Sequence, residues 1–180
     1  MFVFLLGLIK KNLGEKKFKV LCMPSYIEPK WSPMQKLILP FLFLLCVIAM
    51  FFLDRYYPMQ NWLASPYNFI GIIPLLLGIS MVISTGKRFR KVKTQIHTFK
   101  KPKKLVTDGL FQYSRNPIYL GFSIALLGIV FLFGSLSALI PMLLFFLVAN
   151  FWYIPFEEKN MEMVFGQSYR FYKRKVRRWL

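Results

Sequence analysis

The chain has 180 residues, a length typical of one domain, and its 56% apolar content exceeds the roughly 45–50% usual in soluble proteins. A formal net charge of +18, from 25 basic and 7 acidic residues, would suit either nucleic acid or an anionic membrane surface. The long apolar runs favour the membrane, because a soluble nucleic-acid-binding protein does not carry several apolar runs that are long enough to span a bilayer. The single histidine, His97, excludes a histidine-based zinc site, and the two cysteines have no metal-ligand spacing, so no metal is expected.

Four apolar runs predict an all-α, polytopic membrane bundle of about four transmembrane helices. Each run approaches the 17–25 residues that a tilted or straight helix needs to cross the bilayer. The third and fourth runs are separated only by Gly134 and Ser135, which predicts a tight helical hairpin. The runs are residues 37–53, 67–84, 117–133 and 136–154.

The apolar nonapeptide at the start of the chain, MFVFLLGLI, is too short to span and lacks the basic start and cleavage site of a signal peptide. Residues 1–36 are therefore expected to form a basic interfacial segment, and residues 37–180 to form one membrane domain. A fifth span within residues 1–36 is disfavoured, because Lys10 and Lys11 would lie near its middle.

The distribution of basic residues predicts the orientation of the bundle. Residues 1–36 hold seven Lys or Arg, the loop 54–66 one, the loop 85–116 ten and the tail after residue 155 seven. Basic residues concentrate in cytoplasmic loops, so four spans with both termini in the cytoplasm are expected. The expected location is the bacterial inner membrane.

The tail, FGQSYRFYKRKVRRWL, predicts an amphipathic helix. Phe165, Tyr169, Tyr172 and Val176 fall on one helical face, and basic side chains cover much of the rest. Such a helix either lies on anionic lipid head groups or covers a cytoplasmic cleft, and the sequence favours neither. Within the spans, the glycine pairs at seven-residue spacing, in runs two and three, favour close helix packing.

The stretch LVTDGLFQYSRNPIYLG, residues 105–121, places polar and charged groups directly before the third span. Asn116-Pro117 is typical of a helix start, with Pro at the first helical position. The free amides of that first turn, together with Arg115, attract an anionic group such as a carboxylate. Tyr119 lies three residues after Asn116 and close to the same helix face. An ordinary helix cap with an arginine extending to the membrane surface is the alternative.

Glu157 and Glu158 form the only adjacent acidic pair in the chain and follow the fourth span by two or three residues. Because spans three and four are antiparallel neighbours, Asn116 and Glu157 are expected at the same end of adjacent helices, within reach of one small ligand. A carboxylate there would suit the amine or ribose hydroxyls of a nucleoside–amino acid cofactor. The alternative is an ion pair with Arg115 or with the basic tail.

Residues 105–121, followed by FEEKNMEMVFGQSYRFYKRKVRRW, resemble the membrane methyltransferase family of isoprenylcysteine carboxyl methyltransferases and phospholipid N-methyltransferases. The family pattern runs LVT-x-G-x-Y, R-[HN]-P-x-Y-x-G, a helical hairpin, E-E and FG-x-x-Y. The resemblance covers about residues 94–180, and its specificity comes from the joint occurrence of these pieces in order.

The resemblance implies that S-adenosylmethionine binds at the cytoplasmic ends of the last spans. Phe111 stands where the family often has Tyr, Asn116 where eukaryotic members have His, and Lys103 where the family has a histidine. Tyr153 replaces the family's substrate-contacting Arg, which argues against a simple transfer of the isoprenylcysteine substrate. The implied cofactor contacts, with Arg115 added for its charge, are Lys104, Leu105, Val106, Phe111, Arg115, Asn116, Pro117, Ile118, Tyr119 and Glu157.

Methyl transfer from a sulfonium needs mainly alignment of nucleophile and methyl group. Aromatic rings stabilise the sulfonium charge, for which Tyr113, Tyr119 and Tyr169 are candidates. Glu158 or His97 is a candidate base for an ammonium acceptor. The leading hypothesis is thus a membrane methyltransferase acting on a lipophilic acceptor: a phospholipid amine, a prenylated thioether carboxylate or a small thiol. An NADPH-dependent membrane reductase and a non-catalytic protein that binds anionic lipid or a partner are the alternatives.

Overall fold

The structure, a computed structural model, describes residues 38–92 and 104–180. The predicted interfacial segment 1–36, Lys103 and His97 lie outside this part. The described residues are all-helical, which confirms the predicted fold class; their only β-type pairing is an isolated bridge between Asn61 and Ser135. The α-helices are α1 (Ile38–Tyr56), α2 (Ile72–Lys91), α3 (Pro117–Phe133), α4 (Leu139–Val148), α5 (Ile154–Phe165) and α6 (Gln167–Lys175).

Three helical runs in the described part are long and apolar enough to cross a membrane: Leu39–Tyr56, Tyr67–Lys91 and Leu136–Phe165. The second contains a 3-10 turn, Tyr67–Gly71, before α2, and the third contains a 3-10 turn, Leu136–Ala138, before α4. The third predicted span, residues 117–133, corresponds to α3, whose 17 residues extend about 26 Å at 1.5 Å per residue. This protein is therefore an integral membrane bundle, and α3 is the shortest of its four apolar runs, with nine of its 17 residues buried.

The predicted bounds of α3 are confirmed, whereas two neighbouring runs are longer than predicted. α2 continues to Lys91 rather than ending near residue 84. The helix that begins at Leu136 continues through the π-helical turn Ala149–Tyr153 and into α5. Pro155 lies in the first turn of α5, directly after the π-helical turn. As a result Glu157 and Glu158 lie inside a helix, and the chain turns only at Gly166, with a φ of 53°.

Close packing of α2 on α3 depends on two glycine pairs. A methyl group on Gly78 would collide with the carbonyl oxygen of Gly121, and one on Gly71 would collide with that of Gly128. The seven-residue spacing therefore does bring the two backbones together, as the sequence indicated. Close contact with α2 fixes the direction in which the first turn of α3 points.

The hairpin between α3 and α4 closes the end of the bundle opposite the predicted site. Gly134 adopts a left-handed conformation, with a φ of 69°, and its carbonyl accepts a hydrogen bond from the Trp62 N–H at 3.0 Å. The predicted tight hairpin is confirmed. A core of fully buried side chains, which includes Met50, Leu126 and Phe145, joins α1, α3 and α4 below it. These contacts hold α3 and the α4–α5 run as antiparallel neighbours.

Candidate functional site

The turn before α3 presents open helix amides at the end of the bundle where the polar residues gather. Asn116 occupies the N-cap position with a φ of −129°, and Pro117 follows at the first helical position. The Asn116 side chain makes no capping bond, so it leaves the first-turn amides of α3 without the usual side-chain acceptor. Its own backbone N–H donates instead to Ser114 Oγ at 3.1 Å. An anion at this position would meet both the amides and the helix dipole.

Glu158 lies at the centre of a cluster of positive charge. Its Oε1 is 3.0 Å from Arg115 Nη2, and both side chains are at most 8% exposed. Its Oε2 lies 3.2 Å from Arg178 Nη2 and 3.6 Å from Lys173 Nζ. One buried carboxylate therefore joins the turn before α3, helix α6 and the end of the chain. The sequence left open whether its partner would be Arg115 or the basic tail; the structure shows both.

The Arg115 side chain is ion-paired in this cluster, but two of its nitrogens and the facing Glu158 Oε1 have no hydrogen-bond partner. Its Nη2 pairs with Glu158, but its Nε and Nη1 are buried without a hydrogen-bond partner. A guanidinium has five N–H donors, and burying them without acceptors costs about 1–3 kcal/mol per group. The arrangement therefore has spare donors that suit an oxygen-rich anion beside the first turn of α3.

Glu157 connects helix α5 to α3. The Tyr119 hydroxyl, on the first turn of α3, hydrogen-bonds to the Glu157 carboxylate. Tyr153 precedes Glu157 by one helical turn, and its hydroxyl is buried without a partner. The two adjacent glutamates thus point in different directions, as neighbours about 100° apart on a helix must. The predicted approach of Glu157 to the beginning of α3 is present, through Tyr119.

Helix α6 packs its tyrosine face inward and leaves its basic face outside. Tyr169 and Tyr172 are buried, whereas Arg174 and Lys175 are exposed. Burial raises the pKa of Tyr172 to about 12, with Arg115 acting in the opposite direction. Burial, and then the Glu158 carboxylate, raise the pKa of Tyr169 as well. Between the two roles that the sequence left open for the tail, this packing favours a cover over the polar site.

The helix of the tail ends one residue earlier than its apolar pattern suggested. Val176 has extended backbone angles, φ −117° and ψ 134°, so it leaves the face that holds Tyr169 and Tyr172. From there residues 176–180, named the strap here, run alongside the turn before α3. The Arg115 N–H donates to the Arg177 carbonyl at 3.1 Å, and the Asn116 side-chain amide donates to the Arg178 carbonyl at 3.1 Å.

The segment before α3 is tied to α2 and α6. Arg88, near the end of α2, forms an ion pair with Asp108, with Nε donating to Oδ1 at 2.8 Å. The Phe111 ring packs edge-on against Phe89 with 5.3 Å between ring centroids. The Tyr172 hydroxyl donates to the Phe111 carbonyl at 2.7 Å. These contacts fix the loop that carries several of the predicted cofactor residues.

The predicted site residues divide into two groups and three residues that belong to neither. Arg115, Asn116, Tyr119, Glu157 and Glu158 meet at one end of the bundle, through the bonds given above. In the second group, Lys104 is exposed, Leu105 is half-buried and Val106 is buried, and the bonds described above do not include them. Between the groups, Pro117 is buried, whereas Ile118 and Phe111 are half-buried.

Sequence reasoning missed residues that act on the site through tertiary contacts. Lys173 and Arg178 pair with Glu158, and Arg88 and Asp108 hold the preceding loop. Trp179 donates its indole N–H to Asn150 Oδ1 at 3.0 Å. Asn150 did carry a signal, because an amide within an otherwise apolar span requires a partner. The basic residues of the tail look alike in sequence, so nothing there singled out two of them.

Known proteins support a methyltransferase assignment for this geometry. The family model described as phospholipid methyltransferase matches residues 67–168, more than half of the chain. The chain belongs to the phospholipid methyltransferase family. This match confirms the family that the sequence motifs indicated, and it covers both the Arg115–Tyr119 turn and the Glu157–Glu158 pair.

One named relative agrees with this family. A Protein-S-isoprenylcysteine O-methyltransferase of Schizosaccharomyces pombe is 33% identical over 123 residues, which cover 64% of this chain and 50% of that protein. The match thus spans half the length of that relative. An uncharacterized protein of Haemophilus influenzae is 41% identical over 63 residues, which cover 35% of this chain and all of that protein. No solved structure matches the chain.

Proposed function

We propose that this membrane methyltransferase uses S-adenosylmethionine to methylate a lipophilic or membrane-partitioning acceptor. The observation that carries the proposal is the pair of buried, unpartnered donors on Arg115, which lie on a residue directly before the open first turn of α3. Family membership and the relative's printed activity support the reaction class. The bilayer-spanning architecture supports an acceptor that partitions into lipid.

The residues present fit the anionic group and the hydrogen-bond-donating groups of this cofactor. Its carboxylate suits Arg115 Nε and Nη1 together with the first-turn amides of α3, because ionised acceptors form the strongest hydrogen bonds with such donors. Its ammonium group or ribose hydroxyls suit the Glu157 carboxylate. Tyr119 orients Glu157 through its hydroxyl, and Asn116 adds a side-chain amide at the beginning of the same helix. The earlier candidates Lys104, Leu105, Val106, Phe111, Pro117 and Ile118 complete the proposed contact set.

The protein's contribution to the reaction is alignment. When bound, S-adenosylmethionine supplies an electrophilic methyl group whose transfer needs little covalent assistance from the protein. The residues at both ends of the site hold the donor in one pose, which favours in-line approach by an acceptor. Burial of Tyr119 and Asn116 keeps water away from that approach. We assign Glu158 to holding Arg115 rather than to proton transfer, because three cations surround its carboxylate.

The proposed membrane orientation places this site at the cytoplasmic face. Of the 25 basic residues, 24 belong to the segments that four spans would place on that side. Cytoplasmic S-adenosylmethionine would then reach the site from water, and the acceptor from the adjoining leaflet. The exposed basic face of α6 suits contact with anionic head groups there.

Parallel ligand binding tests the proposal. The detergent-purified protein is titrated with S-adenosylmethionine, S-adenosylhomocysteine and NADPH by calorimetry. We expect both adenosyl compounds to bind. Arg115→Met should bind them more weakly, because the carboxylate of the ligand loses its guanidinium partner. Leu180→Ala, an exposed site, is the matched control. Binding of NADPH alone would reject the proposed cofactor and favour a reductase.

A further inference from the structure

Three polar residues of the candidate site are almost closed to water in the described structure, whereas Glu157 beside them is half-buried. Asn116 is 8% exposed, Tyr119 5% and Glu158 4%. A molecule the size of a nucleoside–amino acid conjugate therefore cannot reach these groups unless some part of the chain moves. Movement is easiest for an element that covers the site mainly by polar contacts, without the interlocked backbones of α2 and α3.

The strap, residues 176–180, covers the site in this way. Its backbone carbonyls accept hydrogen bonds from three groups of the turn before α3: the Arg115 N–H, the Ser114 hydroxyl and the Asn116 amide. The Arg178 guanidinium pairs with Glu158 at 3.2 Å, and that arginine side chain is 35% exposed. When the strap lifts, water can take the place of its carbonyls and of the Arg178 guanidinium. The polar groups beneath the strap therefore keep hydrogen-bond partners in the open state.

One apolar anchor holds the far end of the strap. Trp179 stacks on Phe146 with 4.9 Å between ring centroids and an interplanar angle of 25°. Its indole N–H donates to Asn150, in the π-helical turn between α4 and α5. The strap thus reaches from the beginning of α3 to the α4–α5 run, across the two helices whose ends form the site. Next to the anchor, Leu180 is 69% exposed and contributes little.

We propose that the strap is a gate anchored by Trp179, which opens to admit the adenosyl ligand and closes over it. This inference rests on the proposed function for the identity of the ligand. In the closed state the Arg178 carbonyl fixes the Asn116 amide, and the Arg178 guanidinium supports Glu158. Trp179 is therefore a positioning residue that acts through Arg178. A gate controls the rates at which ligand enters and leaves, whereas a purely structural tail controls folding alone.

Hydrogen exchange tests the gate without any ligand. The Arg115 amide is bonded only to the strap in the closed state, so each opening exposes it. In Trp179→Ala we expect this amide to exchange about tenfold faster, as when a minor open state rises from about 1% to about 10%. Leu180→Ala should exchange at the rate of the unmodified protein. An unchanged rate in Trp179→Ala would overturn the gate.

Stopped-flow binding of S-adenosylhomocysteine supplies the second readout. We expect Trp179→Ala to accelerate both association and dissociation, and bound ligand to slow Arg115 exchange in the unmodified protein. Wild-type rates in the variant, or faster exchange upon binding, would contradict the proposal. If the unmodified protein binds no adenosyl compound, the proposed function fails, while the exchange experiment still judges the gate.

A milder pair of variants covers the case in which Trp179→Ala does not fold. Trp179→Phe keeps an aromatic ring against Phe146 but lacks the indole N–H, and Asn150→Ala removes the acceptor from the other side. Both should accelerate Arg115 exchange by a similar, smaller factor, because they remove the same hydrogen bond. If both variants fold and the Arg115 amide exchanges at the unmodified rate in each, this hydrogen bond does not hold the strap.

Discussion

Arg115 and Glu158 form a buried ion pair, with 3.0 Å between Nη2 and Oε1, that joins the turn before α3 to helix α5. Lys173 and Arg178 approach the same carboxylate from the tail. The pair holds Arg115 so that its remaining N–H groups stay available within the site. Stability and ligand binding therefore share one residue cluster, and variants of Glu158 and Glu157 should separate the two properties.

Glu158→Gln should destabilise the protein strongly. Removing one charge of a buried ion pair leaves the other uncompensated and costs about 3–5 kcal/mol. Three cations lose their common partner here. The measurement is the free energy of unfolding in detergent or mixed micelles. Glu162→Gln is the matched control, because its partner Arg170 is 57% exposed, and it should cost at most about 1 kcal/mol. Equal effects of the two variants would show that the buried cluster contributes no special stability.

Glu157→Ala and Asn116→Ala should weaken binding of S-adenosylhomocysteine by about tenfold each, since an unpaired polar group in a partly dry site costs about 1–3 kcal/mol. Calorimetry checks the affinities. Gln112→Ala, which changes an exposed side chain on the nearby 3-10 turn, should bind normally. Normal affinity in both site variants, with unfolding temperatures unchanged, would reject the proposed ligand position.

Much of the fold was predictable because apolar length and turn chemistry are local properties. Pro117 and Gly134 mark the beginning and the end of α3, and the structure confirms both. The course of the chain past residue 154 was less predictable. The apolar run ends at residue 154 and predicted the end of a span there, yet the helix continues past the π-helical turn and through Pro155.

The main residues of the site were predictable from the sequence, whereas the ion pairs and hydrogen bonds between them were not. Asn116-Pro117 and the two glutamates are recognisable because polar groups beside apolar runs are costly without partners. Which cation meets Glu158 depends on how α6 and the strap fold back, a tertiary relationship with no local sequence signal. The contact between Trp179 and Asn150 depends on the same long-range arrangement.

Tyr172→Phe should reduce the loss of stability at alkaline pH. Burial raises the pKa of Tyr172 to about 12, above the ordinary value of 10 that applies to the unfolded chain. The folded state therefore holds the phenolic proton more tightly, and the resulting stability is complete below pH 10 and falls as the pH rises toward 12.

The measurement for this variant is the unfolding free energy between pH 8 and about 12, a window set by the two tyrosine pKa values. Tyr172→Phe should show a shallower decline in that window, together with a lower stability at pH 8 because the bond to the Phe111 carbonyl is lost. Part of the decline should remain, since the pKa of Tyr169 is raised too. Tyr113→Phe, at an exposed site, is the control. An identical slope in Tyr172→Phe and in the unmodified protein would contradict the assignment.

Two glycines on α2 should respond oppositely to alanine. In Gly78→Ala the new methyl group meets the Gly121 carbonyl and the Ala125 backbone, so the helices must separate, at a cost of about 1–3 kcal/mol. In Gly86→Ala no atom lies within 4 Å of the new group, and the helix gains about 0.5–1 kcal/mol from reduced backbone freedom. Unfolding temperatures of the two variants check the prediction.

Because α3 carries Asn116 and Tyr119, Gly78→Ala should also weaken adenosyl-ligand binding, whereas Gly86→Ala should not. A stabilising effect in both variants would mean that α2 and α3 are not in the close contact described.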